Sequence, residues 1–250
     1  MHEPFKHPRA LLNRALTHLN ELEYQTKAHF GTNAYRITQE HDPDEPTWNL
    51  VKVRFAKPLS VKIPCITFDA INCLRSTLDY AVFDASALIR AEENPDSTKF
   101  PFADTFSDLK AEFKRGAKGV PTDLHDFLIA LEPFKDGKGR ALWALNKFRN
   151  SKIHRTVIPF AIGAQSVNIG GTGNTGSIQV ISRWDKNDQS LAVYRTRGTS
   201  PGITLDVEPG LALHHEKVSV SNAVQFLRDV ASDIDRILVE IKMRTVRISP

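Results

Sequence analysis

Two cysteines and two methionines in 250 residues leave this chain with little sulfur chemistry. Cys65 and Cys73 fall eight positions apart in a segment that reads as one helix. A rise of about 1.5 Å per residue separates them by about 12 Å, too far for a disulfide, so reduced core thiols are expected. No apolar run approaches the roughly 18 residues of a membrane span, and Met1 to Arg9 lacks the apolar centre of a secretory signal. The expectation is a cytoplasmic protein with no membrane partner. A G-x-x-x-x-G-K-[ST] loop is missing, and so is the His-Glu-x-x-His spacing of helical zinc sites. A P-loop nucleotide site is therefore not expected, nor is a cofactor or a metal.

What is present is the composition of an ordinary folded protein: 41% hydrophobic and 25% charged residues, with 13 glycines and 14 prolines. The length allows one large domain or two small ones. A net charge of +4 is mild, but its distribution is uneven. From Lys135 to Arg155 the basic residues Lys135, Lys138, Arg140, Lys147, Arg149, Lys152 and Arg155 face the single acid Asp136. That stretch carries more than the whole positive excess.

Apolar residues at three-and-four spacing mark helices. Leu11, Leu12, Ala15, Leu16, Leu19 and Leu22 predict one over 8–30, stopped near Gly31. Ile71, Leu74, Leu78, Val82, Ala85 and Leu88 predict another over 67–93. Shorter helices are expected over 104–115, where Thr105 and Asp108 form a capping-box pattern, and over 121–132, between Pro121 and Pro133. A fifth spans 139–154, before Pro159, and the last spans 221–242 with Val224, Leu227, Val230, Ala231, Ile234, Ile237, Leu238 and Ile241. Between the first two helices, Tyr35 with Ile37 and Asn49 through Phe55 alternate about the turn-rich Asp42-Pro43-Asp44-Glu45-Pro46 and read as a β-hairpin. Short alternating runs between 156 and 215 read as a β-rich insertion. The fold class is α+β: a helical bundle, about 1–155 plus 221–242, with an antiparallel β-sheet formed by the early hairpin and the insertion, all in one interdependent domain.

Two ligand-like strings carry little chemistry. Gly171-Thr172-Gly173-Asn174-Thr175-Gly176 has the letters of a dinucleotide fingerprint, but a strand and not a helix is expected after it, so no helix N-terminus meets a pyrophosphate. His214, His215 and Glu216 are adjacent in an extended chain and point to opposite faces. The polar set Asp69, Asn72, Arg75 and Asp79 lies on about a third of the circumference of the 67–93 helix, beside its apolar stripe. Its bland reading is an i,i+4 pair of Arg75 with Asp79 and a helix cap at Asp69. Its functional reading has Asn72, Arg75 and Asp79 facing the end of the fifth helix and supporting His154.

The sharpest feature is Arg149-Asn150-Ser151-Lys152-Ile153-His154. A guanidinium can hold a phosphate bidentately, and an imidazole titrating near neutrality can move protons to or from a ribose 2′-hydroxyl. Five positions on an ideal helix put Arg149 and His154 about 140° apart, so a shared cleft requires a distorted helix end or a second protomer. Cations at a helix C-terminus are also expected from the macrodipole alone. Lys138, Lys147 and Arg155 are the neighbouring candidates for holding substrate phosphates.

This string resembles the R-N-x-x-x-H signature of HEPN domains, helical bundles many of which are metal-independent endoribonucleases. The resemblance implies a homodimer with facing motifs, His154 and Arg149 as the catalytic pair, Asn150 as a polar helper, and single-stranded RNA as substrate. A longer resemblance runs through Phe68-Asp69, Asn72, Leu74-Arg75, Leu78-Asp79-Tyr80, Phe100-Pro101-Phe102, Leu131, Pro133-Phe134, and Leu142-Trp143 with Leu145-Asn146 to His154-Arg155. These residues are similar to strings of an uncharacterised bacterial family, of the form L-R-x-A-L-D-H and L-W-x-L-N-x-L…D-K-H-R. Lys152 and Ile153 replace the usual Asp-Lys there. Three functions fit: an HEPN-like endoribonuclease, a noncatalytic RNA- or nucleotide-binding bundle, and a protein-interaction component of a defence or phage-related system, the last using an apolar patch around Trp184 and Tyr194.

Overall fold

The computed structural model describes residues 3–31, 35–55, 59–89, 98–150, 160–170, 177–185, 188, 190–197, 204–215 and 218–248. The chain divides into two compact units, one of Met1–Leu22, Cys65–Ile158 and Val224–Pro250, the other of Glu23–Pro64 and Pro159–Ala223.

Among the described residues six α-helices carry the apolar stripes: α1 (Lys6–Phe30), α2 (Lys62–Ile89), α3 (Phe106–Glu112), α4 (His125–Ala130), α5 (Arg140–Asn150) and α6 (Ala223–Ile248). On α1, Leu12, Ala15, Leu19 and Leu22 are buried, whereas Leu16, one step off that row, is 38% exposed. On α6 the buried row is Ala223, Leu227, Val230, Ala231, Ile234, Ile237, Leu238 and Ile241. At about 1.5–3 kcal/mol for each large aliphatic taken out of water, that row is a principal reason the helix packs. Polar ties run between the same elements. The Phe5 amide donates to Asp84 on α2 at 2.6 Å, Arg228 on α6 donates to Asn20 on α1 at 3.0 Å, and Arg9 on α1 pairs with Asp235 on α6.

Helix ends follow local chemistry. Thr105 caps α3 by accepting from the Asp108 amide at 3.2 Å, as its capping pattern predicts. The 121–132 helix is interrupted: a 3-10 turn over Thr122–Leu124 precedes α4, and Glu132 leaves the helix at φ 50°. The turn into α5 packs backbone on backbone. A Cβ on Gly137 would lie 2.3 Å from the Glu132 carbonyl oxygen, and one on Gly139 2.4 Å from that of Leu131. Two expectations for α2 are corrected. It starts at Lys62, because Pro64 fits a first turn, so Asp69 is an exposed mid-helix residue and no cap. Cys65 is exposed and Cys73 half-buried, so the thiols are free but not both core; burial pushes the Cys73 thiol up.

The second unit contains the strands β1 (Tyr35–His41), β2 (Asn49–Phe55), β3 (Phe160–Gly170), β4 (Ser177–Asp185), β5 (Ser190–Arg197), β6 (Thr204–His215) and β7 (Val218–Val220). The hairpin β1–β2 pairs Tyr35 with Phe55 and His41 with Asn49. The insertion joins it, but the described strands form two antiparallel sheets and not one: β1-β2-β5-β4, and β3-β6-β7. In the first sheet Lys52 stands at a register shift, is 7% exposed, and pairs with Glu40 and, at 3.3 Å, with Asp188. Arg54 reaches the same two carboxylates at 2.7 and 3.2 Å. Tyr194 on the central strand β5 is 4% exposed, which removes it from the apolar patch expected there; the Trp184 side chain lies outside the described residues. The glycine-rich run 171–176 also lies outside them, between β3 and β4.

Candidate functional site

Within the helical unit, α2 and α5 meet through a chain of polar side chains. Arg75 on α2 is 7% exposed, and its guanidinium meets three partners. Its Nε donates to Oδ1 of Asn146 on α5 at 3.0 Å, and its Cζ sits 4.3 Å from the centroid of the Phe102 ring. Nη1 lies 2.5 Å from Oδ1 of Asp79 but out of line for a directed hydrogen bond, so charge attraction holds that pair. Asp79 Oδ1 also accepts from the Phe100 amide at 2.9 Å, which fixes the segment carrying Phe102. The i,i+4 pair expected between Arg75 and Asp79 is therefore present and has partners on two other segments.

From Asn146 the chain runs outward along α5. Asn150 Nδ2 donates to Asn146 Oδ1 at 3.3 Å, and Arg149 Nη1 donates to Asn150 Oδ1 at 3.3 Å. Arg149 and Asn150 are both exposed. Among the described residues Arg149 has no carboxylate partner, and its charge reaches Arg75. The Arg75 guanidinium is pulled below its ordinary value first by burial and further by Arg149, against the opposing pull of Asp79. Two guanidiniums, one buried and paired with Asp79 and one exposed, thus lie at the two ends of one chain of amides.

The candidate lysines are engaged differently. Lys147 Nζ lies 2.7 Å from Oδ1 of Asp104, the same oxygen that accepts from Trp143 Nε1 at 2.8 Å, and it stands 5.5 Å from the centroid of that indole. Lys138 pairs with Glu132 at 3.6 Å and lines a cleft of about 420 Å³ with Leu142, Arg236 and Glu240. It lies in the turn before α5, at the opposite end of that helix from Arg149. Asn72 is half-buried on α2. His154 and Arg155 lie outside the described residues, so the spacing of Arg149 from His154 and of Asp79 from His154 does too.

Asn146, Phe102 and Asp104 were not expected at this site. Asn146 carried a signal, since asparagine is a poor helix former whose side chain competes for backbone groups, and it stands four positions before Asn150. Phe102 and Asp104 sit in an irregular segment between helices, where periodicity says nothing.

Among the described residues no group of three or more His, Cys, Asp and Glu side chains is placed to hold a metal ion, and no helix is long and apolar enough to cross a membrane. Compared with family models, curated proteins and solved structures, the chain matches none.

Proposed function

We propose that this protein binds single-stranded RNA at the end of α5 and cleaves it without a metal ion, as an HEPN-like endoribonuclease. The observation that carries the reading is Arg149. It is exposed, is bonded to a neutral amide with no carboxylate partner among the described residues, and is tied through Asn150 and Asn146 to the buried Arg75. A guanidinium held in that way has its charge free for a phosphate while its position is restricted from behind.

In the proposed reaction His154 takes the proton of a ribose 2′-hydroxyl as its oxygen attacks the adjacent phosphorus. The bond to the 5′-oxygen breaks, that oxygen takes a proton from water, and His154 then returns its proton to solvent. Arg149 stabilises the negative charge that builds on the phosphate oxygens. The products are a 2′,3′-cyclic phosphate and a 5′-hydroxyl. A second protomer facing the first brings two motifs to one cleft and answers the 140° separation on an ideal helix.

Incubation of labelled single-stranded RNA with the purified protein in EDTA tests the reading; cleavage with cyclic phosphate ends is expected. The same exposed Arg149 also favours a noncatalytic binder, which is distinguished by salt-sensitive affinity without turnover.

A further inference from the structure

The last turns of α6 carry an apolar strip separate from the buried row. Val239, Met243 and Val246, at i, i+4 and i+7, are 43%, 44% and 63% exposed. They form one wall of a groove of about 740 Å³ whose other wall is the start of α1, with Phe5 and Leu238 at its floor. Phe5 is held there at φ 65° by the bond from its amide to Asp84, so this wall is fixed to the helical unit.

The charges around the groove are mostly cationic. Of its acidic lining there is Glu3, which pairs with Lys6 at 3.4 Å. Arg9 is answered by Asp235. Lys242 and Arg247 have no partner among the described residues. The surface is therefore an apolar helical strip with two unanswered cations beside it.

The geometry points to a docking groove for an amphipathic helix of a partner protein, apolar on one face and flanked by acidic residues. The i, i+4, i+7 strip is the spacing with which a helix presents anchors to another helix. From Leu238 to Arg247 the groove extends about 13.5 Å along the axis, room for about two and a half turns. Lys242 and Arg247 supply the charge that acidic flanks complement. A second copy of this chain fits less well, because α6 against α6 sets the same cations across from each other. A lipid surface fits less well because Phe5 and Leu238 are 5% and 2% exposed at the floor of a concavity, which a flat bilayer does not enter.

The test uses the full chain and a labelled synthetic helix of about 15 residues with leucines at i, i+3, i+4, i+7 and i+11 and glutamates on its flanks. A twin with lysines for glutamates and anionic phospholipid vesicles serve as rivals. The glutamate peptide is expected to bind at least about tenfold tighter than its lysine twin, since two exposed ion pairs gained and two repulsions avoided give about that factor. Val246→Glu should weaken binding about tenfold without lowering the unfolding midpoint, because Val246 is already largely in water. The double variant Lys242→Glu/Arg247→Glu should reverse the preference of the two peptides. Equal binding of both peptides, indifference to Val246→Glu, no binding of the glutamate peptide, self-association lost in Val246→Glu, or binding to vesicles alone would each overturn the proposal.

Discussion

Arg75 Nε and Asn146 Oδ1, 3.0 Å apart, join two helices across 71 positions of sequence, and the same oxygen also receives Asn150. Asn146 thereby couples a buried cation to the exposed end of α5. Asp79 is what makes that burial tolerable, so Asp79→Ala should strand Arg75. A stranded buried charge costs about 3–5 kcal/mol, and the low end is expected because Asp79 is half-exposed. Urea denaturation reads this directly, and a midpoint equal to wild type would show that water already solvates Arg75.

The turn into α5 should tolerate no side chain at Gly139. Alanine there brings a Cβ within 2.4 Å of a backbone oxygen, and that neighbour cannot rotate away. Gly139→Ala should therefore lower stability by more than the 1–3 kcal/mol typical of overpacking in a core. Thermal unfolding of Gly139→Ala beside Gly116→Ala checks the claim, since the close neighbour at Gly116 is only the flexible end of Glu112.

Acid should loosen the first sheet through Asp188. Burial pushes this carboxyl up, but the Ser190 hydroxyl, Lys52 and Arg54 together outweigh it and hold it below the usual carboxylate value. The unfolded chain thus binds its proton first. The stabilising contribution is present above about pH 4 and lost as pH falls through the lower folded value. Lys52 is raised: burial pulls it down, but Glu40 and Asp188 outweigh that, so its contribution holds below about pH 10.4 and fades as pH rises through the folded value. Asp188→Asn should flatten the acid limb of a stability–pH curve, and an unchanged acid limb would assign the loss to other carboxylates.

The helices were legible because their apolar rows repeat every three or four positions; Leu12, Ala15, Leu19 and Leu22 are such a row and are buried. Helix α6 runs six residues past its expected end because Met243 and Val246 leave the row that defined it. The division into two sheets was not legible. Alternation marks Leu205 and Val207 as strand residues but does not say that their partners are Ile169 and Val167. Tyr194 was misread for the same reason: its strand lies between β2 and β4, and pairing on both edges is a property of topology. At the candidate site, Arg75 with Asp79 could be read from one helix turn, whereas Asn146 and Phe102 become neighbours of Arg75 only through packing.

Lys147 and Arg149 should differ in what they do for RNA. Lys147 is held by Asp104 beside Trp143, so Lys147→Ala should leave RNA affinity close to wild type and instead change the Trp143 environment. Arg149→Ala should weaken RNA binding and reduce the salt dependence by about 0.7 in slope, one phosphate contact on a single strand. Titrations at several salt concentrations, with tryptophan emission recorded alongside, separate the two.

The most direct test is the His154→Ala variant, assayed for cleavage of a labelled single-stranded RNA in EDTA with affinity measured in parallel. Proton transfer by a positioned side chain contributes about 10²–10⁴-fold to rate and little to binding. The expected result is wild-type cleavage leaving 2′,3′-cyclic phosphate, a loss of that size in His154→Ala with affinity retained, and loss of both in Arg149→Ala. A clean preparation that cleaves no RNA, or a His154→Ala variant as fast as wild type, would contradict the enzyme reading.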